Sequence, residues 1–172
     1  MTFEISDDRL WLPVHTKPRC EKKFLLFCDK YNVKAYLPLK VKLRTKGRAL
    51  IRSELPMFPG YAFACMNAEE KNSLSKSSSI VNYISMTREQ EKNLCQDLES
   101  IKILEKMQDT EELFVAPEIH SGRKVQICAG PLRGLNGIVE KRKRFHRIIV
   151  NVEMISHSVK MELDVADVEL DI

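Results

Sequence analysis

The stretch Pro56-Met57-Phe58-Pro59-Gly60-Tyr61-Ala62-Phe63 decides how the rest of the chain is read. Two prolines of fixed φ and one glycine make a stiff loop, and the residues after it alternate as in a strand running to Met66. Tyr61, Phe63 and Cys65 fall on one side of that strand, and Ala62, Ala64 and Met66 on the other. A stiff loop offering Phe58 and Tyr61 makes a good apolar docking surface, because it loses little entropy on binding and aromatic residues dominate interface energies. The alternative places Phe58, Tyr61 and Phe63 in the core, where large apolar side chains are common.

Upstream, Arg9 to His15 reads as a short strand with Leu10, Leu12 and Val14 on one side and Trp11 on the other. Thr16-Lys17-Pro18 reads as a helix start with proline at the first helical position, and Cys20, Phe24, Phe27, Cys28 and Tyr31 recur at helical spacing. After Asn32 the period changes to two. Leu37, Leu39, Val41 and Leu43 face one way, and Pro38, Lys40, Lys42 and Arg44 the other. Thr45-Lys46-Gly47-Arg48 is a turn, and Ala49 to Ser53 returns as the partner strand, so the hairpin has a basic face and a basic tip.

Downstream, Asn67-Ala68-Glu69-Glu70 and Thr87-Arg88-Glu89-Gln90 are capping boxes that open two helices, separated by a short strand from Ile80 to Ile84. Leu94, Leu98, Ile101 and Leu104 give the second helix an apolar stripe to about Met107. The order β-α-β-β-β-α-β-α predicts an α+β fold, an antiparallel sheet flanked by helices, over residues 1–108. Residues 109–120 are acidic, carry Pro117 and lack sustained periodicity, as a linker does. Short strands at 124–127, 137–140, 148–152 and 159–163 then predict a small β-barrel over residues 121–172. Gly130, Pro131, Gly134 and Gly137 lie between its first two strands and allow tight turning at a barrel corner.

The charge is uneven. Residues 9–52 hold 13 lysines and arginines against two acids, whereas residues 53–120 hold six against 12. A basic face of that kind suits a polyanion. No apolar run approaches the ~20 residues of a membrane span, and the N-terminus lacks the basic flank and apolar stretch of a signal peptide, so a cytoplasmic protein that uses no membrane is expected. The five cysteines, Cys20, Cys28, Cys65, Cys95 and Cys128, are scattered without a CxxC, which implies neither a disulfide framework nor a zinc site. His15, His120, His146 and His157 stand in unrelated contexts, with no Walker loop and no dinucleotide fingerprint. The expectation is a non-enzymatic protein with no cofactor and no metal. The lack of long apolar patches points to a monomer.

The PxFPGYxF loop, followed at this distance by the GPxxGxxG segment from Gly130 to Gly137, resembles NusG and its specialised paralogs, including RfaH and the antiterminators of polysaccharide operons. The resemblance runs from Trp11 to about Leu170. It implies an NGN domain, a linker and an SH3-like KOW barrel whose defining glycine is Gly137. It further implies that the N-terminal domain docks on the clamp helices of the largest subunit of RNA polymerase, bridges the nucleic-acid channel and suppresses pausing. On this chain that docking surface falls on Pro56, Phe58, Pro59, Tyr61 and Phe63. The family also touches the non-template DNA strand, for which His15, Lys17, Arg19, Arg44, Lys46 and Arg48 are the candidates; the alternative for each is a solvated basic face. The family's KOW domain recruits a partner such as ribosomal protein S10 or a termination factor. The tract from Glu140 to Arg147, with Arg142, Arg144 and Phe145, could instead contact nascent RNA, or form a plain hairpin loop with Phe145 covering the barrel end. The chain departs from the family at Ser75-Lys76-Ser77-Ser78-Ser79, where a glycine-rich connection is common, and its basic hairpin tip is more like that of a specialised paralog. A KOW-containing RNA-binding or ribosome-associated protein that never touches polymerase is the competing class. Such a protein would not need the FPGY loop.

Overall fold

A computed structural model describes residues 2–108, 113–117, 123–127, 132–141 and 146–163. The chain divides into two compact units, one formed by Met1–Leu39 and Pro56–Cys95, the other by Lys40–Leu55 and Gln96–Ile172.

The first unit is built on strands β1 (Leu10–Thr16), β2 (Lys34–Tyr36), β5 (Tyr61–Met66) and β6 (Ile80–Tyr83), which form an antiparallel sheet in the order β2-β5-β1-β6. Strand alternation gives this sheet two apolar faces. On one, Leu12, Val14, Ala62, Ala64 and Met66 pack with Phe24 and Cys28 of helix α1 (Glu21–Lys30) and Leu74 of helix α2 (Ala68–Leu74). Burial pushes the Cys28 thiol up to about 12, as expected for a cysteine acting as a small hydrophobe. The other face carries Trp11, Pro13 and His15 of β1 opposite Cys65, Phe63 and Tyr61 of β5. Phe3 covers its Trp11 end, with ring centroids 5.0 Å from both Trp11 and Tyr36.

The α1 start differs from the sequence expectation. Pro18 and Arg19 form a turn, Arg19 has φ +62°, Cys20 is the N-cap, and the helix begins only at Glu21. The period-two run after Asn32 also breaks. Pro38 has no N–H for a ladder, and the chain leaves β2 at Leu37-Pro38 before resuming as β3 (Leu39–Lys46), so one expected strand is two and the order gains a strand. Both capping boxes form: Asn67 Oδ1 accepts from Glu70 N–H at 2.9 Å, and Glu70 Oε2 from Asn67 N–H at 2.9 Å. Gln90 Oε1 accepts from Thr87 N–H at 2.8 Å, and Thr87 Oγ1 from Gln90 N–H at 3.3 Å.

Helix α3 (Arg88–Met107) buries Leu94, Leu98, Ile101 and Leu104, the stripe read from spacing. Glu91, in its first turn, is fully buried and accepts from Trp11 N–H at 2.8 Å, beyond the residues at which β1 pairs with β6. Arg88 pairs with Glu91 at 2.8 Å and also donates to the carbonyls of Ser6, Asp7 and Arg9, which straps the N-terminal segment down.

In the second unit, β3 and β4 (Ala49–Pro56) form a two-stranded hairpin, with Val41 N–H donating to Gln108 Oε1 at 2.7 Å. A separate antiparallel sheet has the order β7-β11-β10-β9-β8, from β7 (Leu113–Pro117), β8 (Arg123–Gln126), β9 (Asn136–Lys141), β10 (His146–Val152) and β11 (His157–Leu163). Four of these are the expected barrel strands. β7 is an addition, lying within the stretch read as a linker; its Leu113-Phe114-Val115-Ala116 run pairs with β11. Among the described residues no helix is long and apolar enough to cross a membrane.

Candidate functional site

Phe58-Pro59-Gly60-Tyr61 closes as a turn in which Tyr61 N–H donates to the Phe58 carbonyl at 3.0 Å. Proline second and a glycine at φ +86° third are what a type II turn demands, since only glycine enters that region without strain. Three further anchors hold it. Met57 N–H donates to the Pro38 carbonyl at 2.7 Å, and the Gly60 carbonyl accepts from Thr16 N–H at 2.8 Å. Gly60 N–H donates to Glu21 Oε1 at 2.7 Å. Glu21 is buried in the first turn of α1, so both backbone polar groups of Gly60 are satisfied from elements distant in sequence.

The loop's side chains divide between inside and outside. Met57, Phe58 and Phe63 are fully buried, with the Phe58 and Phe63 rings edge to face at 6.3 Å. Pro56 is half-buried, Pro59 is exposed, and Tyr61 is half-buried with its ring stacked on His15 at 5.1 Å and 20°. Of the five docking candidates, then, Pro59 and Tyr61 present side-chain surface, Pro56 does so in part, and Phe58 and Phe63 shape the loop from behind.

The nucleic-acid candidates fall into two groups. His15 lies on β1 against Tyr61, and Lys17 and Arg19 follow it, exposed, in the turn before α1; Lys17 N–H is pinned to the Ser79 carbonyl at 2.8 Å. Arg44, Lys46 and Arg48 are exposed on the hairpin of the second unit. The structure thus brings His15 onto a docking candidate, a contact that sequence spacing did not suggest. Sequence spacing does not single out Glu21 either. Its one available signal is that it is one of two acids in an otherwise basic stretch of 44 residues, 9–52.

In the C-terminal sheet, Gly137 sits on β9 where an added Cβ would lie 2.7 Å from the Ile149 carbonyl oxygen. Close backbone approach, more than a turn, therefore requires glycine there. Gly134, at φ +88°, closes the β8–β9 connection by donating to the Ile127 carbonyl at 2.8 Å. Gly130, Pro131, Arg142, Arg144 and Phe145 lie outside the described residues. Among the described residues no group of three or more His, Cys, Asp or Glu could hold a metal ion.

The sequence pattern of the family described as "Transcription termination factor nusG" matches residues 9–104, from the residue before β1 to near the end of α3. The chain belongs to the NusG family. Among solved structures, this NusG-family chain resembles one described as "Domain interaction in Thermotoga maritima NusG", with 19% identity, 94% of this chain and 96% of that chain covered, and a TM-score of 0.50. That likeness is one of fold, and it extends beyond the N-terminal match to nearly the whole chain. A second, the MjSpt4:Spt5 complex in its conformation A, is 15% identical over 94% of this chain and 98% of that chain, with a TM-score of 0.29, too low to bear on the fold. No curated protein sequence matches the chain.

Proposed function

We propose that this NusG-family chain is a transcription elongation factor, which binds RNA polymerase through the clamp of the largest subunit and suppresses pausing or termination. The observation that carries the reading is the FPGY loop. It is fixed at Met57, Gly60 and Tyr61 by backbone bonds and by a buried carboxylate, so the surface around Pro59 and Tyr61 is organised before any partner arrives. A preorganised loop spends little of its binding free energy on ordering. Phe58 and Phe63 support it from inside. His15, stacked on Tyr61, and Lys17 and Arg19, which follow His15 in sequence, would meet the phosphates of the non-template DNA strand, and Arg44, Lys46 and Arg48 would do so on the hairpin.

In this reading residues 1–108 bind polymerase and the C-terminal strands, with β7 joined to them, form a KOW domain that recruits ribosomal protein S10, a termination factor or nascent RNA. The protein acts as a cytoplasmic monomer, without catalysis of its own and without a cofactor. The test is elongation by purified bacterial polymerase through a template with a strong pause, with and without the full chain. The pause half-life should fall by about threefold or more, roughly 0.7 kcal/mol of barrier. No change at saturating protein would favour a KOW-type RNA-binding protein that does not act on polymerase.

A further inference from the structure

Every residue of the β3–β4 hairpin from Lys42 to Arg52 is exposed, so the direction in which the hairpin points is set where its two legs join the rest of the chain. A two-stranded ribbon has little core with which to hold itself. Its turn at Gly47 lies six residues beyond Val41, about 20 Å at the rise of a strand, so a small change of angle at the root displaces the tip by several ångströms. Cations carried at such a tip serve a partner only if the root is stiff.

Backbone donors stiffen the root on two sides. The legs leave at Pro38, before β3, and at Pro56, the last residue of β4, and Met57 N–H donates to the Pro38 carbonyl at 2.7 Å to join them. On the other side Val41 N–H donates at 2.7 Å to Oε1 of Gln108, the residue after α3. Register explains why this donor is available. The two-residue turn Gly47-Arg48 makes Lys46 and Ala49 a hydrogen-bonded pair, so Lys46, Arg44 and Lys42 exchange bonds with β4, and Val41 turns its N–H to the outer edge of β3. The Gln108 amide therefore meets the ribbon from outside and takes nothing from its ladder.

We infer that Gln108 is a positioning residue, which latches the hairpin to the end of α3 and so fixes the direction in which Arg44, Lys46 and Arg48 are presented. The grouping of the chain agrees with this: Lys40–Leu55 falls in one compact unit with Gln96–Ile172, although both of its legs continue into the other unit. A glutamine suits the task, because its amide oxygen is an acceptor on a side chain long enough to reach a neighbouring strand. The inference takes from the proposed function only that these cations meet a phosphate backbone, and the latch itself is testable without a partner.

The test compares the isotope-labelled full chain as wild type, Gln108→Ala and Gln108→Glu by residual dipolar couplings, which report the orientation of each amide. In the wild type the amides of residues 43–50 and those of α3 should fit one orientation. Gln108→Ala should shrink the hairpin couplings about twofold and speed exchange of the Val41 N–H about fivefold, the loss expected of one hydrogen bond, with exchange in β1 and β5 unchanged. Gln108→Glu, which keeps an acceptor oxygen at the same reach, should restore both. Hairpin couplings that are the same in Gln108→Ala and wild type would overturn the inference, as would a Gln108→Glu protein that behaves like Gln108→Ala. During elongation through the pause, Gln108→Ala should act about half as well as wild type at unchanged polymerase capture. A loosened hairpin with full pause suppression would leave the latch standing and overturn only the phosphate contact assigned to the hairpin.

Discussion

Glu21 precedes Gly60 by 39 residues, yet its carboxylate holds that glycine's N–H at 2.7 Å. Removing the acceptor leaves a buried donor unpaired, which costs about 1–3 kcal/mol. Glu21→Ala should lower stability by that amount in urea titration and weaken partner binding beyond what the stability loss explains. Glu21→Gln, whose amide oxygen can still accept, should recover most of both. Equal effects from the two variants would show that the bond to Gly60 is not what matters. No pattern in the sequence pointed to this contact, because a side chain to backbone bond across 39 residues has no period. By contrast the turn it serves was legible, since Pro59-Gly60 restricts the backbone by its own covalent structure. Another long-range pair, Arg9 with Glu70 at 2.8 Å, was likewise unreadable. The hydrogen bond from Arg9 holds the Glu70 carboxyl below its ordinary value of 4.5. A carboxylate whose folded value is depressed stabilises the fold above its unfolded value and loses that contribution as pH falls through the folded one. Between about pH 5 and 3 the wild type should therefore lose more stability than Glu70→Gln, as read from urea midpoints. Parallel curves for the two proteins would contradict the pairing.

At the scale of elements, local chemistry was a good guide wherever it was strong. The two capping boxes and the α3 stripe are legible, because each depends on residues within a few positions of one another. Periodicity misled where proline intervened. Pro18 suits a first helical residue, but Arg19 in the left-handed region turns the chain before α1 begins, and Pro38 divides the period-two run into two strands. The segment 109–120 read as a linker because its acids mask the short apolar run Leu113–Ala116, and a five-residue edge strand shows itself only through its partner β11. Gly137 lies in the sheet that its motif predicts, but turning is an incomplete reason for glycine there. Its role lies in the approach of β9 to the Ile149 carbonyl at 2.7 Å, a distance set by the partner strand. Gly137→Ala should accordingly destabilise the C-terminal sheet by about 1–3 kcal/mol through overpacking, seen as faster amide exchange in β9 and β10 while β1 and β5 are unaffected. Unchanged exchange in β9 would show that the strands can part at little cost.

For the molecule as a whole, the order of strand and helix periods and of the two motifs carries the fold class, and the family match over residues 9–104 together with the fold likeness to the Thermotoga maritima NusG structure agrees with it. The division of the docking candidates was not legible. Alternation puts Phe63 and Tyr61 on the same face of β5, and only the structure shows Phe63 sealed by Phe58 and Tyr61 left at the open end against His15. That division makes the central claim specific, because the polymerase contact should depend on Pro59 and Tyr61 and not on an exposed apolar residue elsewhere on the first unit. The most direct measurement is capture of bacterial core RNA polymerase by the full-length protein, comparing wild type, Pro59→Ser/Tyr61→Ala and Leu26→Ser, each shown to be folded by its melting transition. The account predicts capture by wild type and Leu26→Ser, with a loss of about tenfold or more in the double variant, as expected for an aromatic hot spot. Folded wild-type protein that captures no polymerase, or a double variant that captures it as well as wild type, would contradict it.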